Sequence, residues 1–242
     1  MFEFLNKLMN KKDSYLTNDV FSAHRILKTD IKRYPNDMED EIIFGCGCFW
    51  GAEKCFWKLP GVVTTSVGYA GGDKNNPTYY EVCSGLTGHS EVVRVIWDKN
   101  EIDVSDLLKM FWECHDPTQK NRQGNDIGTQ YRSAIYYKNE NNKQIILASK
   151  EQYQTELNKK NLGLIETEIK IIDNYFYAEP YHQQYLASQG SRQYCSASPT
   201  QVKLGAFPGS NFKLKDNIWE NFNWEVDKCV LRSDNNPIKN NI

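Results

Sequence analysis

The sequence predicts an α+β fold: a ferredoxin-like split β-α-β sandwich with helices mainly on one side of a mixed sheet. Short apolar runs typical of strands alternate along the chain with segments whose apolar residues have helical spacing. Two β-α-β units follow one another, separated by a polar loop. This alternation is typical of a sheet that buries one face beneath its connecting helices.

The first β-α-β unit begins at the apolar run 42–44. This run predicts a strand over 41–46, and the following helical spacing predicts a helix over 49–58. Pro60-Gly61 ends that helix, because proline and glycine both interrupt helical structure. A strand over 62–69 completes the unit, and a loop rich in glycine, asparagine and proline follows it.

The second half begins with a strand over 89–97, in which Val93, Val95 and Trp97 alternate onto one face. The loop 116–130 holds almost no apolar residues, and long polar loops of compact domains are usually functional or disordered. The other predicted elements are a helix at 104–115, a strand at 133–138, a helix at 140–160 and a strand at 165–173.

We divide the chain into three parts: an N-terminal arm at 1–40, a domain at 41–199 and a C-terminal extension at 200–242. The arm is polar and mixed in charge. The extension holds too many large apolar side chains for a solvated tail, so we expect it to pack on the domain. These side chains are Phe212, Ile218, Trp219, Phe222 and Trp224.

Composition and charge exclude several classes of protein. The chain has 242 residues, of which 40% are hydrophobic and 25% charged, as is ordinary for a globular protein. The net charge of −2, without a basic stripe, argues against nucleic acid and anionic membrane surfaces as partners. No apolar run approaches the roughly 20 residues of a membrane span, and residues 1–5 do not show the basic start and long apolar region of a secretory signal, so we expect none. A transit peptide is disfavoured by Glu3 and Asp13. We expect a cytoplasmic monomer.

The cysteines do not form a disulfide framework, because the chain is long and their number, seven, is odd. Reduced thiols are therefore expected. There is no Cys-x-x-Cys pair, and Cys46 and Cys48 have no histidine at zinc spacing, so we expect no metal. Cys114-His115 is the nearest hint of a metal site, but we expect one side chain to be packed and the other to cap its helix or be solvated.

Cys48 is the candidate nucleophile, because it stands where a strand passes into a helix. Unpaired N–H groups and the helix dipole at such a start favour the thiolate, so we expect a lowered pKa. Phe49 and Trp50 beside it predict an apolar pocket. The alternative is a packed core thiol. Glycines at 45, 47 and 51 argue against simple packing, since each weakens a strand or helix by roughly 0.5–1 kcal/mol relative to alanine.

The segments Gly47-Cys48-Phe49-Trp50-Gly51-Ala52-Glu53 and Val67-Gly68-Tyr69-Ala70-Gly71-Gly72 resemble the signature of the A-type peptide methionine sulfoxide reductases. The resemblance runs from about residue 43 to 195 in one order without large gaps. Further segments that carry it are Pro77-Thr78-Tyr79, Glu81-Val82-Cys83-Ser84-Gly85, Thr87-Gly88-His89-Ser90-Glu91, Gln123-Gly124-Asn125-Asp126-Ile127-Gly128-Thr129-Gln130-Tyr131-Arg132-Ser133 and Tyr181-His182-Gln183-Gln184-Tyr185-Leu186. The resemblance implies the same split β-α-β fold.

The resemblance also implies how the first chemical step is divided among side chains. Cys48 attacks the sulfoxide sulfur, Phe49 and Trp50 hold the S-methyl group, and Glu91 supplies a proton if burial raises its pKa. The side chains that bind or orient the oxygen are Tyr79, Asp126 and Tyr131. Glu91, Asp126 and the two tyrosines also have simpler interpretations. Glu91 could be a solvated acid and Asp126 a turn residue, and the two tyrosines could pack in the core.

For the second half of the cycle, the resemblance implies that a sulfenic acid on Cys48 condenses with Cys195. Tyr194-Cys195 matches a Tyr-Cys pair of the family, although Ser196 stands where a glycine usually follows. Cys229 is the candidate for a second resolving thiol, and its alternative is a buried core thiol. We expect thioredoxin or another dithiol as reductant, no prosthetic cofactor, and the S epimer of methionine sulfoxide, free or in oxidised proteins, as substrate.

Two other functions compete with this one. A cysteine hydrolase would pair Cys48 with His182, although we interpret His182 as a structural hydrogen-bonding residue. A zinc-binding or protein-binding module would use the cysteines without catalysis. The first function requires a dithiol and forms methionine, the second cleaves esters or amides without a reductant, and the third binds metal stoichiometrically.

Overall fold

The computed structural model describes residues 23–172, 174–225 and 229–239, apart from the side chains of Cys229 and Arg232. Eight strands lie in these residues: β1 (Glu39–Cys46), β2 (Val62–Ala70), β3 (Ser90–Asp98), β4 (Arg122–Gln123), β5 (Asp126–Ile127), β6 (Ser133–Tyr137), β7 (Glu168–Ile171) and β8 (Tyr175–Tyr177). The α-helices in the same residues are α1 (Phe49–Trp57), α2 (Tyr79–Cys83), α3 (Val104–Cys114), α4 (Asn141–Lys159), α5 (Asp216–Trp219) and α6 (Cys229–Arg232).

A mixed sheet with the strand order β7-β6-β1-β3-β2-β8 forms the centre of the fold. β6 and β7 pair in parallel, whereas the other neighbours pair antiparallel. β1 and β2 flank β3, and α1 connects them, so this is a split β-α-β unit. The predicted α+β fold class is confirmed.

The two faces of the sheet differ, because successive side chains of a strand point to opposite sides. Ile42, Phe44 and Cys46 of β1 belong to the large core beneath the helices. The predicted alignment of Val93, Val95 and Trp97 on one face of β3 is confirmed, since all three belong to the same core. At its centre the Phe44 ring stacks on Phe56 of α1 at 4.8 Å and on Phe111 of α3 at 5.1 Å.

The opposite face carries a smaller apolar cluster and a buried ion pair. The Arg94 guanidinium donates to the Glu41 carboxylate at 2.6 Å, and the Lys138 amine lies 2.6 Å from the same group. Arg94 also donates to the carbonyl oxygen of Arg33 at 3.0 Å. Part of the N-terminal arm therefore crosses this face, while residues 1–22 of the arm lie outside the described residues.

Residues beyond 200 contribute to the large core. The side chains of Leu204, Leu214, Ile218, Phe222 and Trp224 are all buried in it. Glu113 of α3 accepts the backbone N–H of Leu204 at 2.8 Å, so hydrogen bonds hold this segment as well. Among the described residues, no helix is long and apolar enough to cross a membrane.

The structure adds elements that the sequence analysis missed. Thr78 is the N-cap of α2, and its side chain forms a capping box with Glu81; this Thr-x-x-Glu pattern was readable in the sequence. The polar loop 116–130 contains the hairpin of β4 and β5. β8 was also missed, and the strand predicted at 165–173 extends only over Glu168–Ile171, with Asp173 outside the described residues.

We predict that Arg94→Ala destabilises the protein by about 3 kcal/mol, because it leaves the buried Glu41 carboxylate with one cationic partner instead of two. The free energy of unfolding, measured in urea, tests this. The control, Lys159→Ala, breaks an exposed pair with Glu156 on α4 and should change that energy by about 0.5 kcal/mol at most. A loss below about 1 kcal/mol in Arg94→Ala would show that the ion pair is dispensable.

Candidate active site

Cys48 occupies the N-cap position of α1, immediately after a tight turn. Gly47 precedes it with φ of +85°, a backbone conformation that favours glycine. A Cβ on Gly47 would lie 2.5 Å from the Cβ of Gln123, so the polar loop also closes over this turn. The turn places the Cys48 thiol at the helix start, with 8% of the residue exposed.

Glu91, near the start of β3, provides a carboxyl group at the same helix start. Its Oε2 accepts the backbone N–H of Phe49 at 3.1 Å. Burial raises the pKa of Glu91 to about 8, and the carboxylates of Asp126 and Glu179 act in the same direction, against the Phe49 N–H. Only 2% of Glu91 is exposed, so the alternative interpretation of Glu91 as a solvated surface acid does not hold. Near neutral pH it is mainly protonated.

The pKa of Cys48 is raised well above its ordinary value, so the predicted lowering is wrong for this arrangement. Burial is the largest cause, and the negative charge of ionised Glu91 adds to it. The Trp50 N–H favours the thiolate, as expected at a helix start, but the other two effects outweigh it. The group at rest is therefore a thiol beside a carboxylic acid.

Aromatic rings form one wall beside Cys48. The Trp50 indole stacks on Tyr185 with 3.9 Å between ring centroids, and its Nε1 donates to His182 Nδ1 at 3.1 Å. Phe49 packs against the same imidazole at 5.1 Å. These contacts fix the orientation of both aromatic side chains that the sequence analysis assigned to the S-methyl pocket.

His182 is a buried neutral imidazole, since burial lowers its pKa to about 3. Its Nδ1 accepts the Trp50 N–H, so the proton is on Nε2. Nε2 is buried without a hydrogen-bond partner among the described residues. An imidazole whose pKa is lowered to about 3 is a weak base, and its lone pair on Nδ1 already accepts the Trp50 N–H, so His182 is poorly suited to activate Cys48 as the base of a hydrolase.

Polar side chains of three further segments meet at the site. The Tyr194 hydroxyl donates to Asp126 Oδ1 at 2.6 Å, while Asp126 Oδ2 is buried without a partner among the described residues. Burial and the negative charge of Glu91 raise the pKa of both Tyr79 and Tyr131. Their hydroxyl groups thus remain donors over the whole physiological pH range.

Cys195 lies against the first turn of α1. A Cβ on Gly51 would lie 2.6 Å from the Cys195 Sγ, so this close approach requires glycine at 51. Cys195 is 3% exposed, and it lies near enough to Cys48 for a thiolate on Cys195 to raise the pKa of Cys48. The side chain of Cys229 lies outside the described residues, although its neighbour Val230 lines the same small cavity as Cys195.

Two carboxylates near the site, half-buried Glu179 and fully buried Glu53, were given no role in the sequence analysis. Glu179 accepts the Tyr79 backbone N–H at 2.9 Å and the Tyr69 hydroxyl at 2.8 Å. Glu53 of α1 accepts the backbone and side-chain N–H groups of Gln184 at 2.8 and 2.7 Å, which ties the segment of His182 to α1. Glu53 and Gln184 both lie within the recognised motifs, so the motifs were a signal for them.

The thiol at the helix start, the protonated acid beside it and the aromatic wall place a nucleophilic atom, a proton donor and an apolar surface in one site. This combination is typical of the class of enzymes that use a cysteine residue in catalysis.

The comparisons with known proteins narrow that class. The family model described as Peptide methionine sulfoxide reductase matches residues 40–212. The peptide methionine sulfoxide reductase MsrA of Vibrio vulnificus is 54% identical over 179 residues, which are 74% of this chain and 85% of that protein. The MsrA of Azotobacter vinelandii is 57% identical over 164 residues, covering 68% of this chain and 76% of that protein. The chain belongs to the peptide methionine sulfoxide reductase family.

A solved structure supports the same assignment. The methionine sulfoxide reductase A of Corynebacterium diphtheriae matches with a TM-score of 0.65 and 41% sequence identity, over 76% of this chain and 89% of that one. The resemblance found in the sequence motifs is thereby confirmed at the level of family and fold.

We predict that Glu91→Gln stabilises the protein, and increasingly so as the pH rises from about 5 to 8. The unfolded chain loses the Glu91 proton near the ordinary value of 4.5, whereas the folded chain keeps it until about 8. The free energy of unfolding of the parent therefore decreases as the pH rises from 4.5 to about 8, by up to roughly 1.4 kcal/mol per pH unit. Glu91→Gln has no proton to lose at this position and so escapes the decrease.

Urea unfolding of both proteins between pH 5 and 9 measures this difference. It should level off above about pH 8, where the carboxyl is ionised in both states. Glu151→Gln on the exposed side of α4 is the matched control. A difference between Glu91→Gln and the parent that does not change with pH would contradict the raised pKa.

Proposed function

We propose that this protein reduces methionine S-sulfoxide, in oxidised proteins or as the free amino acid, to methionine, and so repairs oxidised proteins. Family membership and the activity that the relatives' names describe support the reaction. The observation that carries it is the pairing of the Cys48 thiol with a protonated Glu91 at one helix start. We assign the reaction to residues 41–199, with 1–40 as an arm and 200–242 as an extension.

In the first step, the Cys48 sulfur attacks the sulfoxide sulfur and Glu91 gives a proton to the sulfoxide oxygen. The net step transfers that oxygen to Cys48: the sulfoxide is reduced to the thioether, and the thiol is oxidised to a sulfenic acid. The raised pKa of Glu91 suits this step, because the acid keeps a proton near neutral pH and can neutralise the negative charge that develops on the oxygen. The proton of the Cys48 thiol passes to Glu91 in exchange, so the oxygen transfer leaves the acid protonated again.

The surrounding side chains would orient the sulfoxide. The fixed rings of Phe49 and Trp50 offer an apolar surface to the S-methyl group. Tyr79 and Tyr131 keep hydroxyl donors for the oxygen, because their pKa values are raised. Asp126, held by Tyr194, has one oxygen atom left for a hydrogen-bond donor of the substrate or of a bound water.

In the second step, the Cys195 thiol attacks the sulfenic sulfur, which forms a Cys48–Cys195 disulfide and releases water. The position of Cys195 over the first turn of α1 supports this role. Cys229 then exchanges with that disulfide, and thioredoxin or another dithiol reduces the final disulfide, without a prosthetic cofactor. A reducing compartment such as the cytoplasm suits the cycle. A monomeric state also stays a prediction.

Assays on the two separate epimers of a methionine sulfoxide peptide, with a dithiol as reductant, test the function. We expect methionine from the S epimer, and Cys48→Ser should abolish it, because a serine oxygen is much less nucleophilic than sulfur toward the sulfoxide sulfur and cannot form a sulfenic acid. Equal rates on both epimers, or activity of the variant above a few per cent, would contradict the assignment. Ester or amide hydrolysis without reductant would favour the hydrolase alternative.

We predict that Glu91→Gln slows sulfenic acid formation by 10²- to 10⁴-fold, as is usual when an acid catalyst is lost, while substrate affinity changes little. Single-turnover methionine formation measures this. In the parent this rate should fall as the pH rises above about 8, where Glu91 loses its proton, and the variant should lack that fall. A variant rate within about threefold of the parent would rule out the acid role.

We predict that Cys229→Ser leaves one round of methionine formation unchanged and accumulates the Cys48–Cys195 disulfide, so that thioredoxin-dependent turnover falls. Mass spectrometry of tryptic peptides identifies the disulfide. Cys195→Ser is the comparison, since it should also complete one round but leave a sulfenic acid on Cys48. Parental turnover with thioredoxin in Cys229→Ser would show that Cys195 completes the cycle alone.

A further inference from the structure

Three buried side chains with metal-binding atoms lie together behind the active site. Cys46 ends β1, Cys114 ends α3, and His115 follows Cys114. One sulfur from each cysteine and one ring nitrogen of His115 lie within 4.8 Å of one another. None of these three side chains takes part in the proposed reaction.

A third thiol extends this group. Cys55, in the middle of α1, lies on the same small cavity as Cys46 and Cys114. A single buried cysteine is an ordinary small apolar residue. Here, however, three thiols surround one cavity, although they come from a strand and two helices that are distant in the sequence.

A cavity of about 20 Å³ adjoins these thiols. Cys46, Cys55 and Cys114 line it, together with Cys195. This volume exceeds the roughly 10–15 Å³ that one water molecule needs, so the space suffices for a single small ion and for small shifts of the sulfur atoms.

His115 has the hydrogen bonding that is typical of metal-binding histidines. Its Nδ1 lies 2.8 Å from the Phe111 carbonyl oxygen, to which it must donate, and this bond fixes the tautomer. Nε2 therefore has a lone pair, which accepts the Ser133 hydroxyl at 2.8 Å. That hydroxyl also lies 2.7 Å from the Thr167 hydroxyl, so it can turn to Thr167 and release Nε2. Burial lowers the pKa of His115 to about 4, which keeps the ring neutral.

We propose that Cys46, Cys55, Cys114 and His115 form a buried binding site for one thiophilic d¹⁰ ion, Zn²⁺ or its probe Cd²⁺. Three sulfur ligands and one nitrogen are a usual set for tetrahedral zinc. With Zn–S bonds of about 2.3 Å, the ligand atoms of a tetrahedron are roughly 3.8 Å apart. The observed limit of 4.8 Å for Cys46, Cys114 and His115 thus requires a contraction of at most about 1 Å.

Proton release accompanies binding at this site, because thiolates bind the ion. The ion therefore displaces thiol protons when it binds, and the affinity for the ion increases with pH.

Chelator competition with Zn²⁺ and Cd²⁺ on the reduced full-length chain tests the proposal. The variant Cys48→Ser/Cys195→Ser/Cys229→Ser removes the thiols of the reaction and serves as background. We expect it to bind one ion per chain, with a ¹¹³Cd NMR shift typical of three sulfur ligands and one nitrogen. Cys46→Ala or Cys114→Ala in this background should weaken binding by more than roughly a hundredfold, since even outer partners of a metal site contribute 10–100-fold.

Cys83→Ser in the same background is the matched control, because Cys83 is partly exposed and outside the group, and it should keep full binding. Near-ultraviolet circular dichroism verifies that each variant is folded. If the alanine variants do not fold, ¹¹³Cd coupling to the ¹⁵N nuclei of His115 in the background protein decides the matter directly. Failure to bind one ion, absence of a nitrogen ligand, or unchanged affinity in folded Cys114→Ala would overturn the proposal. These results are independent of methionine formation, so they do not bear on the proposed reaction.

Discussion

The hydrogen bond from the Phe49 N–H to the Glu91 carboxyl connects the two halves of the site. The first N–H groups of a helix have no partner within the helix, and Cys48 offers no side-chain cap for α1. A carboxyl group from β3, 42 residues along the chain, takes one of these donors. The same bond holds Glu91, the proposed acid, beside Cys48, the proposed nucleophile. One contact therefore satisfies the first turn of the helix and positions the two groups of the proposed reaction.

Two opposing effects set the state of that acid. The Phe49 N–H favours the carboxylate, whereas burial favours the neutral form, and burial is the stronger effect. The pKa near 8 is therefore a property of the whole fold rather than of the strand on which Glu91 lies. Glu179, which supports Tyr69 and Tyr79, adds to it from a segment about 90 residues later. A local change in any of these elements is therefore expected to shift the pKa of Glu91.

Sequence patterns predicted the long elements well, because periodicity is strong over nine or more residues, as in β2, β3 and α4. β8 has three half-buried residues, and the hairpin of β4 and β5 has two residues in each strand, too few for any period to be read.

Motifs indicated Cys48, Glu91 and Asp126. They did not reveal the raised pKa of Cys48, because burial and the charge of Glu91 depend on residues that only the fold brings near. Nor did they reveal the convergence of Cys46, Cys55 and Cys114, whose spacing matches no metal motif.

The close contact between Gly51 and Cys195 has a consequence for how a reductant protein reaches the enzyme. A thiol that is 3% exposed and packed on a helix is shielded from any macromolecule of the solvent. In the proposed cycle, the disulfide must therefore pass outward through local opening of the segment around residues 188–199, and the free energy of that opening contributes to the rate of turnover. Hydrogen exchange of this segment would then report on catalysis, although none of its amides takes part in the reaction. The enzyme would thus be protected from indiscriminate thiols by the stability of a single surface segment.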